Sequence, residues 1–374
     1  MVIAIFVLTT QIRHHYFRRL KAMIPCKKCA GVAYCTTLCR DEADESYHKY
    51  ECEFQEVLTG LGCSQISRLA LRMITIKPYK YFMSLKEKLL PQNENNNLVA
   101  DGKDDDDVYL RVHNLAGLTE KRWPEENLIR CALAIVLLSI LRASGYFGEK
   151  KISTSGDSFS PNELFFGYLL LRNLQVLQFN AHEVYQMLRS KKDNLKPCKN
   201  VVIGLAIYPT ASYFNHSCHP GLSRCFNGKQ MVLKTLHPLR CGDEVSENYG
   251  YAFYLKSRNE RRKELSARYW FECGCEACKH DWPLLDKLPE SVASKESKGE
   301  IQVEDIKSAT DSMEKGNPNE ALNHIRKYVD AFYKDKGILL CQDLLKAEDK
   351  ARSCVSNLGN VVFTEDLILR NEMK

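Results

Sequence analysis

Residues 215–218 read Asn-His-Ser-Cys, and residues 273–278 read Cys-Gly-Cys-Glu-Ala-Cys. The second stretch sets Cys273, Cys275 and Cys278 close together, one ligand short of the four that a tetrahedral zinc takes. A fourth donor has to come from elsewhere in the chain.

The wider cysteine usage bears on which chemistry these thiols serve. The chain has 374 residues and 16 cysteines, several in short-spaced groups and some interleaved with histidine. Such spacing reads as a disulfide framework in a secreted chain and as zinc sites in an intracellular one. Met1 to Thr10 is apolar, but no basic residue precedes it and no small-residue cleavage site follows. Arg13, Arg18, Arg19 and Lys21 come afterwards, the wrong order for an export signal, so the run reads as a β-strand. Cys131 to Leu141, flanked by Arg130 and Arg142, has about half the length needed to cross a bilayer and reads as a buried helix. The expected compartment is reducing: cytoplasm and nucleus.

Composition agrees with a soluble globular chain, 44% apolar and 27% charged, long enough for more than one domain. The net charge of +6 is spread along the chain, with no basic stripe interleaved with aromatics, which argues against direct nucleic-acid binding.

A second cysteine group lies near the start: Cys26-x2-Cys29, Cys35-x3-Cys39 and His48-x3-Cys52. Closely spaced pairs supply two metal ligands from one turn, and cysteines used only as small hydrophobes would not come in three pairs over so short a stretch. Six ligands do not divide into fours.

Between and beyond the two groups the pattern changes three times. Residues 55–195 read as helical, with apolar periodicity at Leu69, Ala70, Met73 and Ile74, over 128–141 and over 163–189. Gln92 to Asp107 carries Asn and Asp runs with no apolar face, and reads as a disordered loop. From Val201 short β-rich runs follow, at 201–209, Met231 to Lys234 and Glu244 to Ser246. After Pro289 a polar linker leads to two helices, marked by Ala321, Leu322, Ile325, Val329 and Phe332, and by Cys341, Leu344 and Leu345. One such pair is too few to define a repeat.

Three motifs in order carry a resemblance. Tyr208 to Pro220 resembles the central SET signature, Asn-His-Ser-Cys-x-Pro-Asn, with Gly221 in place of the last Asn. Leu239 to Gly250 is similar to the second signature, ending in Tyr249, and Tyr269 to Cys278 to the post-SET finger. Behind the MYND-like group at 26–52, this order resembles the SET-and-MYND-domain family of protein lysine methyltransferases, over residues 13 to about 285. The resemblance implies an α+β fold: a SET-type β-rich core with an inserted MYND-like finger and helical segment, a post-SET finger and a helical tail. The segments it implies are a residual strand at 1–12, a MYND-type finger at 13–52 and a helical insert at 53–200. A core SET region at 201–255, a post-SET finger at 256–285 and a TPR-like helical region at 300–374 follow.

It also implies roles. Cys26, Cys29, His48 and Cys52 would hold one zinc. Cys35 and Cys39 would belong to a second, whose missing pair is expected at 13 and 16. Arg13 and Tyr16 stand there, with His14 and His15 between them, so either the second zinc is lost or weakly held, which is the reading preferred, or one of those histidines rebuilds the site. Cys218 would complete the site of Cys273, Cys275 and Cys278, giving two zincs per chain. Asn215, His216 and Phe271 would hold S-adenosyl-L-methionine, Tyr249 would be catalytic, and His182, Ser212 and Phe214 would line the lysine channel. A protein carrying a reactive lysine would be the substrate, and the finger would take a proline-rich peptide or corepressor; no membrane partner is implied. The family's Gly-x-Gly turn does not occur before Cys26, which leaves a non-catalytic SET-MYND scaffold as the alternative. Without the resemblance, Tyr249 would read as packing and His216 as a capped core histidine.

Overall fold

The computed structural model describes residues 3–5, 23–91, 107–152, 157–189, 199–291, 303–333 and 340–363. Arg13 to Tyr16 and residues 92–106 lie outside these. The fold is α+β, and the chain divides into two compact units. The first comprises Met1–Val184 and Ile203–Ser212, the second Tyr185–Val202 and Tyr213–Lys374. No helix among the described residues is long and apolar enough to cross a membrane.

The first unit opens with strand Ile3–Ile5, antiparallel to the end of Lys199–Ile207, with Ile3 opposite Ile207. A small hairpin, Ile24–Pro25 against Ala33–Tyr34, leads to helix Thr37–Glu45, whose N-cap Thr36 accepts the Cys39 N–H at 3.1 Å. The helical body is built on Gln65–Thr75, Pro124–Ala143 and Pro161–Asn180. Leu69, Met73, Leu137, Leu141, Phe166 and Leu170 bury their side chains in one cluster, because each helix turns a 3.6-period apolar face inward. Pro161–Asn180 starts on a reciprocal capping box, Ser160 with Glu163, followed by proline at the first turn.

Three sequence expectations change in this unit. The periodicity over 163–189 yields a helix only as far as Asn180; Ala181–Arg189 is a strand. Asn180 turns its amide back onto the Val176 and Ala116 carbonyls, and Ala181 is already extended. Strand structure therefore starts at Ala181, inside the segment expected to be helical to residue 200. The run 131–141 is buried on one face only, since Leu128, Ile129 and Ile135 on the same helix are exposed. Asp107, expected to close a featureless loop, instead caps helix Val108–His113 by accepting the Tyr109 and Leu110 N–H groups at 2.8 and 3.1 Å.

In the second unit, Leu222–Asn227 pairs antiparallel with Gln230–Thr235 across a two-residue turn. Gly228 opens that turn at φ 58°, a region a side chain would strain. Arg189 lies opposite Phe363 where Ala181–Arg189 runs parallel to Val361–Phe363. Among the described residues the C-terminal region holds three α-helices where two were expected: Val303–Glu314, Pro318–Asp330 and Gln342–Asn357. They share a core of Ala309, Leu322, Ile325, Val329, Leu344 and Ala351, closed by Cys225 and Leu236 of the β-rich part. The expected strand at Glu244 to Ser246 does not form. Glu247 alone makes a bridge, with His216, because the ladder there is limited to two hydrogen bonds with the signature turn.

The finger is tied to the helical body by a buried ion pair. Glu51, at the end of helix His48–Glu51, accepts Arg72 Nε at 2.6 Å, Arg72 Nη2 at 2.5 Å and the Thr75 hydroxyl at 2.7 Å. Arg72 also lies over the Tyr47 ring, 3.5 Å from its centroid. Removing one member leaves the other charge buried and uncompensated. Arg72→Met is expected to lower unfolding stability by about 3 kcal/mol in chemical denaturation. Lys150→Met, which breaks the exposed Lys150–Glu53 pair, should change it by less than about 1 kcal/mol.

Candidate metal and cofactor site

Two clusters among the described residues bring four ligand atoms within 4.8 Å of one another: Cys26, Cys29, His48 and Cys52, and Cys218, Cys273, Cys275 and Cys278. Zinc with Zn–S bonds of about 2.3 Å sets tetrahedral S···S edges of about 3.8 Å and S···N edges of about 3.5 Å. In the first cluster Cys26 and Cys52 sulfurs are 3.7 Å apart, and His48 Nε2 lies 3.2 and 3.6 Å from Cys26 and Cys29. In the second, Cys218 Sγ lies 3.9 Å from Cys273 and 3.6 Å from Cys278. Both donor sets fit a tetrahedral zinc.

Local structure explains each convergence. The hairpin supplies Cys26 and Cys29 from one knuckle, in which the Lys28 N–H points at Cys26 Sγ at 3.3 Å. His48 and Cys52, four apart on continuous helical backbone, share a face. Burial pushes the His48 imidazole below its ordinary value, so the ring is neutral and free to ligate. Burial likewise pushes the Cys52 thiol up to about 12, an effect that a bound cation would oppose. Cys35 and Cys39 sit apart as a pair 3.3 Å apart, joined by no third ligand among the described residues.

In the second cluster Cys278 N–H bonds Cys275 O at 2.8 Å, closing the turn that aims three thiols at one point. The signature turn delivers the fourth: Cys218 N–H points at Cys275 Sγ, 3.4 Å away. Helix Arg258–Tyr269 leads into this finger through Trp270, held at φ 61°.

Around that cluster lie most of the expected site residues. Burial holds His216 at about 4, so its ring is neutral. Its Nδ1 accepts the Tyr249 N–H at 3.0 Å, which assigns the ring proton to Nε2, 3.4 Å from Cys218 Sγ. Tyr249 is pushed up to about 12 by burial and by the charge of Glu247; its hydroxyl donates to the Phe214 carbonyl at 2.7 Å. The rings of His216, Tyr249, Tyr269 and Phe271 form a group with centroids 4.9 to 6.5 Å apart. Asn215 is exposed, its amide donating to Glu244 at 3.0 Å. His182 and Ser212 fall in the other unit: His182 edges onto Tyr208, and the Ser212 hydroxyl donates to the Tyr208 carbonyl at 3.0 Å.

Sequence reasoning missed the charged groups beneath the signature. Glu348, fully buried on helix Gln342–Asn357, faces His219 Nε2 at 2.9 Å and accepts the Tyr333 hydroxyl at 2.7 Å. Arg261, also fully buried, donates to two of the cluster sulfurs. The one available signal was spacing: Arg261 stands four residues before Leu265, on the inward face of its helix.

The fold and clusters define a two-finger zinc-site protein with a SET-type signature. Among known proteins it is similar to protein-lysine N-methyltransferase SMYD4 of Homo sapiens, 27% identical over 71% of this chain and 38% of the relative. A SET and MYND domain-containing protein of Dictyostelium discoideum is 24% identical over 72% of this chain and 70% of the relative. Histone-lysine N-methyltransferase SMYD3 of Mus musculus is 38% identical over a shorter stretch, 20% of this chain and 17% of the relative. No family model matches. The chain is similar in sequence to proteins of the SET-and-MYND-domain family, and its matched part spans 38% of the human relative.

Metal analysis of the purified chain is expected to give about two zincs, one per four-ligand cluster. A third would mean that Cys35 and Cys39 find partners beyond the described residues. Glu348 gives a pH signature. Burial pushes its carboxyl up, but the His219 ring and Arg352 outweigh this and hold it at about 2. A carboxyl depressed on folding stabilises above its unfolded value of about 4.3, and that gain is lost as pH falls toward the folded one. The stability difference between parent and Glu348→Gln should be present at neutral pH and shrink between about pH 4.5 and 2, in denaturation series.

Proposed function

We infer that this chain carries an S-adenosyl-L-methionine-dependent protein-lysine N-methyltransferase centre in its second unit. The observation that carries the reading is the Tyr249 hydroxyl, kept protonated and fixed on the Phe214 carbonyl within a group of four rings. Relatives bearing the names of lysine methyltransferases support it.

The residues present suit a sulfonium cofactor. Aromatic faces attract a cation, and His216, Tyr249, Tyr269 and Phe271 offer them in one place. Bound there, S-adenosyl-L-methionine supplies an electrophilic methyl group. The chain's part is to align a lysine amine and exclude water. Tyr249, as a protonated phenol, orients the amine through its oxygen and takes no proton from it. His216 does not act as the base either, because its Nδ1 is engaged by the Tyr249 N–H and its Nε2 already carries the ring proton. The lysine therefore reacts in its neutral form, after giving its proton to solvent, against an ordinary pKa of about 10.4. The channel roles of His182 and Ser212 and the cofactor role of Asn215 rest on the family resemblance. So do the finger's proline-rich or corepressor partner and a location in cytoplasm and nucleus.

Calorimetric titration with S-adenosyl-L-methionine should show saturable binding, and Tyr249→Phe should keep binding while losing at least about tenfold in methyl transfer to protein lysine. No binding at millimolar cofactor would favour the scaffold reading, and loss of binding together with turnover would make Tyr249 structural.

A further inference from the structure

Arg261 is the largest side chain with no exposed surface among the described residues, and no carboxylate pairs with it there. Its donors are nevertheless all used. Nε donates to Cys218 Sγ at 3.2 Å, and Nη2 to Cys278 Sγ and the Ala277 carbonyl, both at 3.4 Å. Nη1 donates to the carbonyls of Phe253 at 3.3 Å and Lys256 at 2.5 Å. A guanidinium has five N–H groups, and here there are five bonds.

Carbonyls satisfy hydrogen bonds but do not balance a charge. A fully buried cation without a counter-anion costs several kcal/mol, so an anion has to lie beside it. Among the described residues, the groups it bonds that can carry negative charge are Cys218 and Cys278. Four thiolates around a divalent zinc sum to about −2, an equally unfavourable charge to bury alone. Each excess answers the other.

The geometry points to Arg261 as the built-in counter-cation of the second zinc centre. It donates to the Cys218 and Cys278 sulfurs and fixes their positions, so that zinc retention there depends on it. Its helix belongs to the stretch leading into the finger, whereas Cys218 belongs to the signature turn; one guanidinium thus joins the two halves of the ligand set. Cys218 Sγ receives the His216 Nε2–H as well, so a shift of that sulfur reaches the ring on which Tyr249 rests. The first cluster has no guanidinium bonded to its sulfurs among the described residues and serves as an internal reference.

The test reads metal, not methylation, so its outcome is separable from that of the proposed activity. Zinc transfer from the full chain to an excess of chromophoric chelator is followed for parent, Arg261→Gln and Arg261→Lys. In Arg261→Gln one zinc should leave about 10- to 100-fold faster than in the parent, while the other keeps its rate. Arg261→Lys keeps the charge but not the fork, and should fall between the two. Cobalt substitution gives a second reading: the sulfur-to-cobalt charge-transfer band of the second site should move in both variants. Release within about twofold of the parent, an unmoved cobalt band, or a parent chain without metal at the second cluster would overturn the inference. Should Arg261→Gln fail to fold, Arg261→Lys decides: faster release of one zinc supports the assignment, and parental release refutes it.

Discussion

Four cysteine sulfurs from two separate stretches have to occupy one buried volume, and much of the second unit answers to that demand. Cys218 comes from the signature turn; Cys273, Cys275 and Cys278 come from a finger more than fifty positions later. Bringing them together fixes the turn that carries His216, and through the His216 ring it fixes the backbone of Tyr249. The hydroxyl of Tyr249 then donates to the Phe214 carbonyl just before the same turn. A metal site, a neutral imidazole and a protonated phenol are thus links of one chain, and none is placed independently.

The other buried charges follow a common rule. Glu51 is closed by Arg72 and Thr75, Glu247 by Arg224, and Glu348 by His219, Tyr333 and Arg352. The Glu51–Arg72, Glu247–Arg224 and Glu348–His219 pairs join segments distant in sequence, where an apolar contact would tolerate sliding and a hydrogen-bonded charge does not. Glu51 sits next to Cys52, and His219 next to Cys218. Registry is therefore imposed right beside the metal ligands, where an error of one residue would scatter them. This is specificity more than stability, since desolvation offsets most of what such pairs contribute.

A sequence determines by itself whatever depends on local spacing. The Cys-x2-Cys, His-x3-Cys and Cys-x-Cys-x2-Cys groups were legible as metal ligands, because each fixes a turn or a helical face, whereas the sorting of the first group into one site and the fourth ligand Cys218 came only from the family resemblance. The apolar face of Gln65–Thr75 and the capping box at Ser160 were decided equally locally. Tertiary structure decided the rest. The helix stops at Asn180 because its side chain bonds Ala116, far back in the chain, and the strand after it finds a partner at 361–363. Glu244 to Ser246 stays out of a strand because the signature turn offers its neighbour Glu247 a single bridge. Arg261 and Glu348 look in sequence like two more charges on amphipathic helices; only the fold puts two cysteine sulfurs beside one and an imidazole beside the other. Local spacing sets which face a side chain takes, but the energy of a buried charge depends on what the rest of the chain brings to meet it.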